Sequence, residues 1–339
     1  MRKFILIIIL MVGAVHVFGQ KKWQKLGIKP APPVCYASDE VEKSYTPPPP
    51  EVLSMLKSAE KKSDIIVKYR LFPQEAKDAF EYAVSIWESI IESPIPIHVD
   101  AIWLNKSSNV LGSCAPGDYE KNFEEAPWDN VYYPISAVEK IQEKELTGAE
   151  RPDMSAEFNK NINWYFGTDG QTPDSLYDFV SVVLHEIGHG LGFTGFFYVA
   201  GSQGGWDYYN DDQPDASTFD RLVTTINGDY LIDEANYENP SAELKTALTS
   251  QSLFARSSAA QPKLGSSFPR LYAPSTWDNG SSIYHLNDAS YPSSSPNALM
   301  THAFGKGEAA HNPGPLTNGI LADVGWKIMK LDFQEVKDI

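Results

Sequence analysis

The sequence predicts an α+β fold, in which strands and helices fill the first half of the chain and the second half is irregular. Apolar and polar residues alternate in Asp64–Phe72 and Ile95–Trp103, a pattern typical of half-buried strands. Apolar residues at three-to-four spacing in Ala76–Ile91 predict one helix, and apolar residues all around Phe179–Leu191 predict a second, fully buried one. A hydrophobic content of 42% is sufficient for a core and excludes a disordered or fibrous chain.

The N-terminus has the features of an export signal. A basic start precedes an apolar run of 12 residues, Phe4–Val15, and Val17 and Gly19 suit the −3 and −1 positions of a cleavage site. Because about 20 apolar residues are needed to span a bilayer, the run predicts a signal peptide over residues 1–19. We therefore expect a secreted chain that begins at Gln20 and has no transmembrane anchor.

The composition of residues 20–62 and the net charge of the whole chain exclude some structures and some partners. Residues 20–62 are rich in proline and charge, with four consecutive prolines at Pro47–Pro50, and proline is excluded from helix interiors and central strands. This segment is therefore predicted to be a linker or pro-segment. The net charge of −16 opposes binding to nucleic acid or anionic membranes.

The other elements divide the chain into two predicted subdomains. In the upper subdomain, residues 63–193, "NVLGSCAP" and "SAEFN" are typical of short strands. Thr172 and Pro173 suit the cap and first position of the buried helix, and Gly192 suits its left-handed end. The lower subdomain, residues 194–339, is irregular until a helix near "GPLTNGILADVGW".

The buried helix carries two histidines four residues apart. His185 and His189 lie on one helix face, with Cβ atoms about 5–6 Å apart, close enough to hold one metal ion. Glu186 lies beside them, where a base acting on a water molecule belongs. A match this short also arises by chance. In so apolar a helix, however, two imidazoles and a carboxylate without partners would lower the stability of the folded chain. The pattern predicts a zinc half-site.

The motif does not fix the third protein ligand. Metzincins continue with a glycine and then a third histidine; Gly192 is present, but Gly195 stands at the histidine position. The candidates farther along the chain are His285, His302 and an acidic residue, Asp211 or Asp215. The aspartates belong to "NDDQPD", which is more typical of a solvated loop or a structural Ca²⁺ site.

Four motifs occur in a characteristic order. "HEIGHGLGF" is followed by a long insertion, then by "YHLND", "NALMTH" and "GPLTNGILADVGW". In this order they resemble the leishmanolysin-type metzincins and their secreted bacterial relatives, over a stretch from about Asp64 to Trp326. The resemblance implies a metzincin-like zincin with an N-terminal twisted mixed sheet, two long helices, and an irregular lower subdomain with a methionine turn.

The resemblance also implies roles for individual residues. The implied zinc ligands are His185, His189 and His285; Glu186 is the implied general base and Met300 the turn methionine, while Asp323, Gly325 and Trp326 match a structural closing motif. The family usually has proline two residues after the turn methionine. His302 stands there instead, which makes it a rival ligand or a group that contacts substrate.

These roles predict a secreted zinc-dependent endopeptidase, which we expect to be a monomer whose partner is a protein or peptide substrate. Zinc would activate a water molecule whose proton Glu186 accepts, and "SAEFN" would be the strand edge that pairs with an extended peptide. Tyr284, Tyr291 and His302 are candidates for stabilising the oxyanion. The alternative is an exported binding module that keeps a structural zinc, with Cys35 or His302 as a fourth ligand.

The two cysteines allow three interpretations. Export favours a disulfide between Cys35 and Cys114. Alternatively, Cys35 in the N-terminal segment supplies a removable thiolate that plugs the zinc site. Two free thiols are the third interpretation.

Overall fold

The computed structural model describes residues 31–148, 150–207, 214–265 and 267–329. Its helices are α1 (Pro50–Ser58), α2 (Gln74–Ile90), α3 (Ile135–Gln142), α4 (Phe179–Gly190), α5 (Ala242–Leu248) and α6 (Gly314–Val324), with short 3-10 turns η1 (Asp220–Leu222), η2 (Gln261–Lys263) and η3 (Ala298–Met300). None of the described helices is both long enough and apolar enough to cross a membrane. The predicted signal peptide, residues 1–19, and the predicted start at Gln20 lie outside the described residues.

Eighteen strands accompany these helices in the described part of the chain. In chain order they are β1 (Val34–Thr46), β2 (Ile65–Arg70), β3 (Ile91–Glu92), β4 (Ile97–Leu104), β5 (Val110–Pro116), β6 (Tyr119–Glu120), β7 (Val131–Pro134), β8 (Met154–Asn159), β9 (Trp164–Tyr165), β10 (Tyr177–Asp178), β11 (Phe197–Ala200), β12 (Gln203–Trp206), β13 (Ala216–Ser217), β14 (Val223–Thr225), β15 (Leu253–Ala255), β16 (Arg270–Leu271), β17 (Ala303–Ala310) and β18 (Lys327–Ile328).

The largest sheet has six strands in the order β17-β1-β5-β8-β4-β2. β2, β4 and β8 are parallel, β5 is antiparallel to both β8 and β1, and β1 is parallel to β17. The predicted mixed sheet of an α+β fold is therefore confirmed. Because β17 comes from the predicted lower subdomain, this sheet joins both halves of the chain, and the division at residue 193 stays a prediction.

β1 shows that Val34–Thr46 is a sheet strand and not a linker, while the pro-segment alternative for residues 20–62 stays a prediction. The strand is central in the sheet, with Cys35 opposite Gly112 of β5 and Tyr36 opposite Ala303 of β17. The run of prolines lies between β1 and α1, and Pro50 begins α1, where a missing N–H costs no hydrogen bond. Local composition could not predict the strand, because its partners come from distant parts of the chain.

α2 and α4 pack against each other and position the histidine motif in the core. The indole N–H of Trp87 on α2 donates a hydrogen bond to the Leu184 carbonyl on α4 at 3.0 Å. Phe158 of β8 and Phe179 of α4 pack edge to face, with ring centres 5.4 Å apart. Every residue of α4 is buried, as predicted from its apolar sequence.

α4 begins later than the sequence predicts. Its cap is Asp178, whose carboxylate accepts hydrogen bonds from the Ser181 N–H and the Thr172 hydroxyl, both at 2.8 Å. Thr172 and Pro173 do not start the helix, because β10 pairs with β9 and holds the chain extended up to Asp178. The predicted left-handed end is confirmed, since Gly192 has a φ of +113°.

Candidate metal centre

Three buried histidines bring their ring nitrogens together at one point. His185 and His189 come from α4, and His285 comes from the loop after β16, 96 residues beyond His189. The Nε2 atoms of His185 and His189 are 2.9 Å apart, and each lies 3.2 Å from the Nε2 atom of His285. All three side chains are fully buried.

The opposite ring nitrogen of each histidine contacts a backbone carbonyl. Nδ1 of His185 is 2.6 Å from the Leu299 oxygen, and Nδ1 of His189 is 2.8 Å from the Phe193 oxygen. Nδ1 of His285 is likewise 2.8 Å from the Ser281 oxygen. Because a carbonyl only accepts, each Nδ1 carries the hydrogen and each Nε2 presents a lone pair to the common point.

The three imidazoles suit a divalent metal ion. Burial lowers the pKa of His185 to about 4 and the pKa values of His189 and His285 well below their ordinary value, so the rings are neutral, as metal ligands must be. In a tetrahedral zinc site, ligand nitrogens about 2.0–2.1 Å from the ion lie about 3.3–3.4 Å from one another. The two Nε2 separations to His285 are close to this spacing and the one between His185 and His189 is shorter, so the three nitrogens could hold a metal ion.

Glu186 lies beside this cluster in a site that disfavours its charge. Its side chain is fully buried, and neither carboxylate oxygen has a hydrogen bond of ordinary geometry among the described residues. Burial raises its pKa well above the ordinary value, against the opposing effects of the Lys106 charge and the Cys35 N–H. A Cβ atom on Gly112 would lie only 2.8 Å from the Glu186 carboxylate, so β5 needs glycine at this point.

Met300, the methionine of the implied turn, packs against the helix that carries His185 and His189. The side chain is fully buried, and a Cβ on Gly188 of α4 would be 2.9 Å from its sulfur. The preceding residue, Leu299, supplies the carbonyl that contacts His185. The Met300 carbonyl also accepts the N–H of Leu286, which ties the turn to the residue after His285.

Asp220 explains why glycine occupies the expected histidine position at 195. The buried Asp220 carboxylate lies where a Gly195 side chain would be, and it accepts the Phe196 N–H at 2.9 Å. It also accepts the Tyr284 hydroxyl at 3.0 Å, while the Tyr284 oxygen accepts the Phe197 N–H at 2.6 Å. Asp220 thus connects the glycine turn to the residue before His285. No sequence motif marks Asp220, and the glycine at 195 is the one indirect signal.

We expect Tyr284→Phe to weaken zinc binding about tenfold, because outer partners that orient ligands contribute on this scale. The phenylalanine keeps the ring but loses the hydroxyl that connects Asp220 to the segment carrying His285. Zinc affinity is measured by competition with a chromophoric chelator. Tyr198→Phe is the matched control, since Tyr198 is also buried and hydrogen-bonded to an aspartate, Asp207. Equal zinc affinities in the two variants would contradict this role.

The rival ligands and two oxyanion candidates have other partners. Nδ1 of His302 is 2.7 Å from Asp288, and its ring stacks on Tyr272 with centres 4.0 Å apart. Asp215 pairs with Lys121, and Asp211 lies outside the described residues. The Tyr291 hydroxyl accepts the Arg270 N–H, and Tyr284 is held by Asp220. The alternatives of His302 or Asp215 as third ligand, and of Tyr284 or Tyr291 as an oxyanion donor, are therefore not supported by the geometry.

The cysteines are not paired, so the prediction of a disulfide was wrong. Cys35 and Cys114 are both buried and free, because the strand register places Cys35 opposite Gly112. Instead, the Cys35 sulfur, one ring nitrogen of His185 and one oxygen of Glu186 lie within 4.8 Å of one another. Burial, and secondarily the Glu186 charge, raises the pKa of the Cys35 thiol. β1 therefore brings the Cys35 thiol, a candidate ligand, to the edge of the histidine cluster.

The strand next to the cluster is β5, and the prediction that "SAEFN" forms the cleft edge was wrong. β8, which contains this segment, is paired on both sides, by β4 and β5, and has no edge to offer. β5 is paired with β8 on one side, and its other side is covered by β1, with Val34 opposite Ser113. An external peptide can pair with β5 only where β1 now lies.

The buried carboxyl of Glu308 makes the contact between β17 and β1 sensitive to pH. Burial raises its pKa from 4.5 to about 8, with Glu42 of β1 and Asp288 adding to the rise. Since the folded pKa exceeds the unfolded one, the folded state loses stability as pH rises from about 4.5 to about 8. In urea titrations, we expect the unfolding free energy of Glu308→Gln to fall less than that of the wild type between pH values of about 4.5 and 8. An equal loss in both proteins would contradict the assignment.

Comparisons with known proteins give one partial match. A family model described as SPBPB7E8-like matches residues 129–243, roughly a third of the chain. The matched stretch contains His185, Glu186 and His189 and ends before His285. No curated protein and no solved structure matches the chain. Its function must therefore be inferred from the geometry of the site.

Proposed function

We propose that this chain is a secreted zinc-dependent endopeptidase of the leishmanolysin-like metzincin type. The observation that carries the proposal is the convergence of three neutral, buried imidazole nitrogens beside the buried carboxylate of Glu186. His185, His189 and His285 would hold the ion. Three protein ligands leave the fourth position of a tetrahedral ion open, which is typical of catalytic rather than structural zinc.

When bound, zinc polarises a carbonyl group and lowers the pKa of a water molecule toward about 7. Glu186 accepts a proton from the water that attacks the scissile carbonyl and then donates it to the nitrogen of the departing amine. A raised pKa suits both roles, because the group must take up a proton readily and release it within one cycle. The surrounding buried side chains exclude bulk water from this transfer.

We propose further that the described form is latent. A substrate would need the free edge of β5, but β1 pairs with that edge and brings Cys35 to His185 and Glu186. The strand therefore acts as the removable plug that the position of Cys35 in the sequence suggested. Activation requires β1 to leave the groove between β5 and β17.

The alternative of a binding module with a structural zinc is favoured by the same cysteine. A thiolate permanently bound with the three imidazoles would close the coordination sphere and leave no open position. Release of β1 distinguishes the two functions, since it makes a peptidase active and leaves a binding module without activity.

Metal removal tests the proposed function. The protein, with its N-terminal strand released by limited proteolysis, is expected to contain one zinc ion and to hydrolyse casein. Dialysis against a chelator is expected to abolish hydrolysis, and added zinc is expected to restore it, because Glu186 alone cannot activate water for attack on an amide. Hydrolysis that persists in the metal-free protein would contradict the proposal. A zinc-loaded, strand-released protein that hydrolyses nothing would favour the binding module.

A further inference from the structure

A second cavity, of about 520 Å³, shares no lining residue with the metal centre. Two arginines, Arg221 and Arg256, contribute to its wall together with the exposed rings of Trp128 and Tyr230. Arg221 follows Asp220 in η1, so one short turn carries a buried carboxylate toward Tyr284 and a cation toward this cavity. We call this group of four side chains the arginine–aromatic site.

Both arginines in this site lie over aromatic rings, and Arg221 is close enough to stack. The guanidinium carbon of Arg221 is 4.0 Å from the centre of the Trp128 ring. That of Arg256 is 5.4 Å from the Phe268 ring and 5.8 Å from the Tyr230 ring. Stacking holds a guanidinium plane in place while its N–H groups at the rim stay available to a ligand.

Neither guanidinium group donates a hydrogen bond to a described residue. No carboxylate there lies within ion-pair distance of either group, although the chain has 44 acidic residues. Arg70 and Arg151, in contrast, pair with Asp100 and Asp118. Arg221 is also half-buried, and burial lowers its pKa. A half-buried cation with no carboxylate beside it favours an anion supplied from outside.

The aspartates in the cavity wall do not fill this role. Asp323 accepts hydrogen bonds from the Ser257 and Ser258 hydroxyls and the Ala259 N–H. Asp233 accepts the Ala235 N–H and the Asn236 amide. Both carboxylates therefore accept hydrogen bonds from their own loops. The charged groups of the cavity wall that remain available to a ligand are the two guanidinium groups.

The exposed apolar side chains around the site indicate the kind of partner. Trp128 is 52% exposed and Tyr230 39%, and Ile226, in the turn before Tyr230, is 72% exposed. Tryptophan, tyrosine and arginine are the residues that contribute most to protein interfaces. Two guanidinium groups, with the Asp233 and Asp323 carboxylates in the same wall, match a few acidic groups and not the dense charge of nucleic acid. A few carboxylates among apolar side chains fit both the cations and the rings.

We propose that the arginine–aromatic site binds an acidic polypeptide segment that carries apolar side chains. Its carboxylates contact Arg221 and Arg256, and its apolar side chains pack on the exposed parts of Trp128 and Tyr230. The site is independent of the proposed hydrolysis, because none of its residues belongs to the metal centre.

Fluorescence polarisation with a labelled, end-blocked peptide of alternating glutamate and leucine tests this site. The protein carries Glu186→Gln so that the probe is not consumed. We expect saturable binding that weakens with salt, and Arg221→Gln or Arg256→Gln to raise the Kd about tenfold each. Arg151→Gln is the matched control, an exposed arginine that already has an acidic partner, and it should leave the Kd unchanged.

Arg221→Lys tests whether binding depends on the paired N–H groups of the guanidinium or only on its positive charge. Lysine keeps the charge but cannot form paired N–H contacts to a carboxylate, so we expect it to weaken binding nearly as much as glutamine. The proposal is overturned if the wild-type site does not bind the peptide, or if a glutamine–leucine peptide binds equally well. It is also overturned if the arginine variants bind normally, or if a uronic-acid oligosaccharide binds in place of the peptide.

Discussion

Glu186→Gln is expected to keep zinc bound and to reduce kcat/KM for peptide hydrolysis by about 10²–10⁴-fold, the range that general base catalysis contributes. Glutamine has nearly the same shape, so the buried space beside Gly112 stays filled. It cannot accept and return a proton. Because the three imidazoles are oriented by backbone carbonyls and not by Glu186, the metal site should survive the change.

Glu139→Gln is the matched control for this loss. Glu139 is also a buried glutamate, but one Glu139 oxygen accepts the N–H groups of Leu146 and Thr147, which an amide oxygen can also do. Zinc content and kcat/KM are measured for both variants after release of β1. Undiminished hydrolysis in Glu186→Gln would show that Glu186 is not the general base. Loss of zinc would show that its role is structural.

Cys35→Ala is expected to raise hydrolysis by the full-length chain about tenfold or more. If the thiol contributes about 1.4 kcal/mol to holding β1 at the metal centre, its loss increases about tenfold the fraction of molecules in which β1 has left the groove. The strand would still pair with β17, so the release is partial. The initial rate with an unprocessed chain measures the effect.

Cys114→Ala tests whether the effect of Cys35→Ala comes from loss of the contact with the metal centre or from a general loosening of the core. Cys114 is equally buried and free, but its sulfur packs near Gly190 and Met154 and is not among the atoms that can share an ion with His185. We expect this variant to stay as latent as the wild type. If Cys35→Ala is no more active than Cys114→Ala, the thiol does not maintain latency.

Much of the fold near the metal centre could be predicted from local sequence. Alternation in Asp64–Phe72 and Ile95–Trp103 predicted β2 and β4, and helical spacing predicted α2 to within a residue or two. The motif on α4 placed two histidines side by side because helix geometry alone fixes that spacing. His285 was only one of several candidates until the resemblance selected it.

The features that could not be predicted depend on contacts between distant residues. β1 becomes a central strand because β5 and β17 flank it, and its own composition indicates a linker. Asp178, rather than Thr172, caps α4 because β9 holds the preceding residues extended. Asp220 has no motif at all, since its role depends on meeting Tyr284 across 64 residues. In each case tertiary structure overrides the local signal.

Anomalous diffraction at the zinc edge, on crystals of the full-length protein grown with zinc, tests the central claim most directly. We expect one strong peak about 2.0–2.1 Å from the Nε2 atoms of His185, His189 and His285. In crystals of the strand-released protein, the same peak should lie close to a water molecule and to no fourth protein ligand. A peak elsewhere, or an ion that lacks His285 among its ligands, would contradict the claim.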